Sequence, residues 1–275
     1  VTAQIPLPHT PPPDPDERSM DPLLDMLDLE QIDTDLYRGT FVFAEPYSLY
    51  GGQVAAQALR AAGLTIPADR LPHSLHGYFL RPGDASRPTV FRVDRDRDGG
   101  SFSARRVVAI QNGAVIFNMS TSFHTAKSGQ DRQVTDPPPA PRPEECQPFT
   151  LPRVFSLEGR RPEGPGPDEY CPIRFWARST PQLGEDPLLH ACVLTYLSDI
   201  TSGLFALEDG HNRAGASLDH AVWFHRPVRM DDWVLMDNTP HSVAAGRGWY
   251  TGSVFDGSGR LAASFAQEAL FRPMR

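Results

Sequence analysis

The sequence predicts an α+β protein made of two copies of one unit, each a helix with a curved antiparallel sheet wrapped around it. Three observations carry this. First, Tyr78-Phe79-Leu80-Arg81-Pro82 and Trp223-Phe224-His225-Arg226-Pro227 share an aromatic-x-Arg-Pro pattern after an apolar run. Their arginines stand 145 residues apart in a chain of 275, and similarity at a fixed offset marks a repeat. Second, each motif is followed by a strand pattern, a polar turn and two strands joined at a glycine-rich turn. Those turns are Gln111-Asn112-Gly113 and Asp256-Gly257-Ser258-Gly259. Third, proline clusters fall where the copies would meet.

Element by element, the two halves read in the same order. In the first, 36–43 has strand composition and 52–62 is helical, with strands following at 73–80, 89–93, 101–111 and 114–124. In the second, 173–178 reads as a strand and 187–200 as a helix, followed by strands at 216–225, 233–238, 246–255 and 261–271. The strands rest on β-branched and aromatic enrichment between glycine-bearing turns. Turns are expected over 94–100 and near Asn238. Asp186 suits an N-cap and Pro187 the first turn of the second helix. The first helix is rich in alanine, which favours helix and permits close backbone approach. Prolines 6, 8, 11, 12, 13 and 15 make 1–22 an extended arm without a core. Pro137-Pro138-Pro139, Pro141 and Pro143 form a stiff linker. The domains expected are therefore an arm (1–22), a first unit (23–130), a linker (131–150) and a second unit (151–275).

Composition narrows the function. With 40% hydrophobic and 22% charged residues, the chain has globular composition. No run of about 18 apolar residues predicts a membrane span. A formal charge of −8 argues against nucleic acid as a main partner, while leaving room for a local basic pocket. Cys146, Cys171 and Cys192 lack metal-ligand spacing, so no metal is expected and inert thiols in a reducing compartment are. The N-terminus has no basic-then-apolar signal, and a cytoplasmic location is the expectation.

Several longer runs resemble the acyl-CoA thioesterase II family, whose members carry two hotdog domains in one chain. In the first half these are Tyr50-Gly51-Gly52-Gln53-Val54, His76-Gly77-Tyr78-Phe79-Leu80-Arg81-Pro82-Gly83-Asp84, Ser101-Phe102-Ser103-Ala104-Arg105-Arg106-Val107 and Ala109-Ile110-Gln111-Asn112-Gly113. In the second they are Tyr196-Leu197-Ser198-Asp199, Leu218-Asp219-His220, Trp223-Phe224-His225-Arg226-Pro227 and Gln267-Glu268. The resemblance covers about 29–272. It implies a double hotdog fold and hydrolysis of fatty acyl-CoA to free fatty acid and CoA, without any cofactor beyond the coenzyme A of the substrate. By position in the motifs, it also implies a catalytic set of Asp199, Ser217 and Gln267.

The residue types suit that chemistry. Asp199 can take a proton from water as general base. Ser217 and Gln267 can donate and accept, and so orient the water. Gly51, Gly52 and Gln53 open the first helix, where backbone N–H groups can polarise a carbonyl. Arg105 and Arg106 are candidates for CoA phosphates, with a strand-turn salt bridge as the competing reading. Asp219, His220, His225 and Arg226 read as structural, and Arg81 and Arg226 as anchors of the repeat. Regular strand alternation would put Ser217 and Asp219 on one face and His220 on the other, which opposes a serine triad. No G-x-S-x-G elbow is present.

Shifted back by 145, Gln267 falls on Ser122 and Ser217 on Pro72, so the water site belongs to the second half and the first supplies the facing wall. The competing functions are a non-catalytic acyl-CoA binding or sensing protein, and a hotdog enoyl-CoA hydratase. Sheet edges that need cover predict a homo-oligomer, a dimer or tetramer.

Overall fold

The computed structural model describes residues 21–44, 46–162, 172–200, 202–209 and 211–273. Most of the proline arm and residues 163–171, with Cys171 among them, lie outside the described residues. The first half contains α1 (Pro22–Leu27), β1 (Leu29–Asp33), β2 (Leu36–Gly39), α2 (Gly51–Gly63), β3 (Arg70–Phe79), β4 (Thr89–Asp98), β5 (Phe102–Gln111) and β6 (Ala114–Thr125). The second contains β7 (Gln147–Phe149), β8 (Leu157–Arg161), β9 (Arg174–Ser179), α3 (Pro187–Ser198), α4 (Ser202–Phe205), β10 (Asn212–Ser217), β11 (Asp219–Phe224), β12 (Val234–Ala244), β13 (Arg247–Asp256) and β14 (Leu261–Pro273).

One antiparallel sheet runs β1-β2-β4-β5-β6-β3-β11-β14-β13-β12-β9-β8-β7, with β10 attached to β14. Read outward from the β3–β11 junction, the strand order is the same on both sides, which makes the chain two hotdog units in tandem. The paired arginines mark equivalent corners. The N–H groups of Leu80 and Arg81 bond the Ile116 carbonyl at 2.8 and 3.3 Å, and those of His225 and Arg226 bond Ala262 at 2.8 and 3.1 Å.

Inside this sheet, α2 and α3 lie side by side and antiparallel. A Cβ on Gly52 would meet the Tyr196 carbonyl, and one on Gly63 the Leu188 side chain. The N-terminus of α2 thus meets the C-terminus of α3. Bare or alanine positions along α2 (Ala55, Ala56, Ala58, Ala62, all fully buried) permit the approach. Arg60 closes the far end on Asp186 at 2.8 Å. The Asp186 side chain also caps α3, accepting from the Leu188 N–H at 3.0 Å, as its sequence position predicts.

Several boundaries depart from expectation for identifiable reasons. β4 continues to Asp98, through the stretch expected to turn, because its charges pair across to β5; Arg106, for example, bonds Asp96 at 3.0 Å. β12 passes through Asn238, where no turn forms, because Asn238 is 2% exposed and bonds the Ile173 carbonyl. The turn lies at Ala245-Gly246, both at positive φ. The strand expected over 216–225 breaks at Leu218 into β10 and β11, with an irregular register on β14. The short elements α1, β1, β7 and β8 carry too little pattern to predict. The stretch Pro187–Phe205 has the length and composition of a membrane span, but 81% of it is buried in the fold.

Candidate active site

Asp199 follows the last residue of α3 and is 2% exposed. Its Oδ1 accepts the Ser217 hydroxyl at 3.0 Å and the Gln267 Nε2–H. Each partner arrives for a local reason. The break at Leu218 ends β10 and frees Ser217 from strict strand alternation. Gln267 belongs to the inward face of β14, with Phe265 and Ala269 on either side, where a buried amide needs partners.

The first half completes the surroundings. Tyr50, the N-cap of α2, makes no side-chain cap, so the N–H groups of the first turn seek other acceptors. That of Gly52 bonds the Asp199 carboxylate. A Cβ on Gly51 would stand 2.5 Å from Asp199 Oδ2 and 2.8 Å from the Phe79 ring. A carboxylate at the C-terminus of its own helix opposes that helix's dipole, but here it faces the positive end of α2.

Burial lifts the Asp199 carboxyl to a pKa of about 6, against the hydrogen bonds of Gln267 and Ser217, the charge of Arg153 and the Gly52 N–H. A base titrating there is largely ionised at neutral pH and still basic enough to accept a proton.

Of the other predicted residues, Gln53 lies in the first turn of α2 and the two arginines lie elsewhere. Gln53 is 2% exposed, and its Oε1 has no partner. Arg105 is 1% exposed and donates to the Thr65 hydroxyl, the Asp98 carboxylate and the carbonyls of Thr65, Arg97 and Ala104. Thr65 follows the C-terminus of α2, whereas Asp199 lies at the N-terminus, roughly 20 Å away along a 13-residue helix. Arg106 is exposed and paired with Asp94 and Asp96. Arg105 is thus held by partners of the first half, and Arg106 stands in surface ion pairs.

His220 corrects the strand-alternation argument while leaving its conclusion intact. Like Ser217 it reaches the end of α3, but its Nε2 pairs with Ser198 Oγ at 2.7 Å, and that hydroxyl donates to the Thr195 carbonyl at 3.0 Å. Nε2 is accordingly the protonated nitrogen. Burial pulls the His220 pKa down to about 3, so a neutral imidazole ties α3 to β11. Asp219 accepts the Glu268 N–H at 2.7 Å. Two residues near the site escaped the sequence reading. Arg153 stands over the Tyr47 and Tyr50 rings and bonds the Ser48 carbonyl. Tyr250 donates its hydroxyl to Gln267 Oε1. A fully buried tyrosine needs a hydroxyl partner, so the alternation Gly248, Tyr250, Gly252 was the available signal for the second.

Residues 44–124 match the family model of the acyl-CoA thioesterase N-terminal domain, and 130–271 that of the C-terminal domain. The chain belongs to the acyl-CoA thioesterase family. It is 34% identical to human acyl-coenzyme A thioesterase 8, over 90% of this chain and 88% of that protein. It is 33% identical to acyl-CoA thioesterase 2 of Haemophilus influenzae, over 91% and 96%. The crystal structure of an acyl-CoA thioesterase II, TesB2, from Mycobacterium marinum aligns with a TM-score of 0.76 at 41% identity, covering 92% of this chain and 97% of that one. As a member of this thioesterase family, the chain is a hydrolase of acyl-CoA thioesters.

Proposed function

We propose that Asp199, Ser217 and Gln267 hold and activate the water that cleaves an acyl-CoA thioester. The observation that carries this reading is the convergence of the Ser217 and Gln267 donors on one buried carboxylate. Water enters this set, gives a proton to Asp199 and adds its oxygen to the thioester carbon. Collapse of the tetrahedral intermediate breaks the C–S bond, and the proton passes from Asp199 to the departing thiolate. The products are a carboxylic acid and CoA. The N-terminus of α2, with Gly51 and Gly52, favours the negative charge that develops on the carbonyl oxygen. The unpartnered Gln53 Oε1 supports a role in accepting a hydrogen bond from the substrate.

The same reading assigns two hotdog domains, 23–130 and 151–275, joined by 131–150 and preceded by the arm 1–22. The matched spans 44–124 and 130–271 support that division. Exposed Tyr78, Leu80, Phe102 and Trp223 on the outer sheet face support a homo-oligomer, a dimer or tetramer. The free thiols of Cys146 and Cys192 support a reducing, cytoplasmic location.

Thiol release from a series of acyl-CoA chain lengths tests the site. Asp199→Asn is expected to lower turnover by about 10²- to 10⁴-fold while the fold persists. Turnover retained in that variant overturns the assignment. Tight acyl-CoA binding by the wild-type chain without thiol release would make it a binding protein instead.

A further inference from the structure

The Gln267 amide has two ends of opposite character, and its orientation decides what Asp199 and the water meet. With Nε2 inward, the amide donates to the carboxylate or to the water oxygen. A water that accepts from Gln267 and donates to Asp199 keeps a lone pair for the thioester carbon. With the amide turned over, Oε1 would face a carboxylate that can only accept.

The geometry points to Tyr250 as the positioning residue that holds this amide: its hydroxyl donates to Oε1 and so directs Nε2 at Asp199. This inference rests on the water-site reading above. Tyr250 and Gln267 are register partners on β13 and β14, so their side chains share the inward face. Tyr250 is fully buried. Phe265 packs edge-on to its ring at a centroid distance of 6.2 Å. A Cβ on Gly203 would collide with the ring from the α4 side, so the bare backbone of α4 holds the ring in place. The titratable and charged groups around the carboxylate are Arg153 from the loop before β8, Tyr50 at the N-cap of α2, Tyr196 on α3 and Tyr250 itself; His220 lies just behind, on Ser198. Of these, Tyr250 alone reaches the site through Gln267.

Tyr250→Phe keeps the ring and removes the donor. The acid limb of kcat/KM, expected near pH 6 in the wild type if Asp199 sets it, should move upward by about one pH unit, because the amide no longer stabilises the ionised carboxylate. At pH 8, turnover should fall about tenfold, with KM little changed. In a Gln267→Met background, adding Tyr250→Phe should shift the limb no further. A lowered melting temperature with an unmoved acid limb would overturn the inference and leave Tyr250 a packing residue, as would equal shifts in both backgrounds. Asp199→Asn run in parallel separates the two claims. If that variant still turns over, the water-site reading fails. If it is inactive and Tyr250→Phe matches the wild-type profile, only the Tyr250 inference fails.

Discussion

Asp199 is nearly inaccessible and yet must ionise in the proposed mechanism, and the fold supplies only part of what its charge needs. Three donors and the charge of Arg153 oppose the burial, but its pKa still rises from 3.8 to about 6. A carboxyl with a raised folded-state pKa makes the protein most stable below its unfolded value, and that stability is lost as pH rises through the folded value. Two units correspond to about 3 kcal/mol. Asp199→Asn removes the charge while keeping an acceptor for Ser217. It should therefore gain stability over the wild type at pH 8, by up to about 3 kcal/mol, and lose that advantage between about pH 6 and pH 4. Thermal melts of both proteins across this range check the sign; an equal difference at pH 4 and pH 8 would contradict it. A stabilised, inactive variant is the expected behaviour of a residue kept for chemistry at the expense of stability. Position alone does not single out Asp199, since a carboxylate at a helix end is ordinarily a turn residue. Family motifs selected it, and its burial could be known only once the two helices were packed.

At the scale of elements, the decisive contact is between two helix ends of opposite polarity. The alanine-rich composition of α2 made its close packing readable from sequence. Which element it would approach was not readable, because that depends on the antiparallel pairing of α2 with α3. Gly51 and Gly52 serve that pairing differently. Gly52 lends its N–H to the carboxylate, and Gly51 makes room for it between α2 and Phe79. Gly51→Ala would bring a methyl group to 2.5 Å from Asp199 Oδ2 and 2.8 Å from the Phe79 ring. Either the carboxylate or the ring must give way. Displacement of about 1 Å costs on the order of 10²-fold in rate, so Gly51→Ala should lose about that factor in kcat. Its far-UV spectrum should stay native, because alanine suits a first helical turn. Wild-type kcat in Gly51→Ala would contradict a carboxylate held tightly against the start of α2.

Across the whole molecule, the repeat explains a residue that its sequence context misplaces. Tyr250 pairs with Gln267 across β13 and β14, and in the first half Arg105 pairs with Thr121 across β5 and β6. The offsets are 145 and 146, so Arg105 and Thr121 occupy the places that Tyr250 and Gln267 occupy in the second half. The fixed shift of 145 had pointed to Ser122, one residue off, because the turn between β13 and β14 (257–259) holds one residue more than the turn between β5 and β6 (112–113). Each half thus offers a helix end to an inward tyrosine-like position. In the second half that position serves Gln267 and Asp199. In the first, Arg105 fills it and spends its guanidinium on Thr65, Asp98, Arg97 and Ala104. The motif around Arg105 was legible, but its role was not, since a run of two arginines on a strand says nothing about which one points inward. Arg105→Met keeps most of the volume and strands several buried acceptors, so it should cost about 3 kcal/mol of stability. The KM for acyl-CoA in the folded fraction should remain that of the wild type. A phosphate-binding arginine would behave in the opposite way, with a raised, salt-sensitive KM and an unchanged melting temperature. Measuring melting temperature and KM on the same preparation decides between a filled second site and a coenzyme contact.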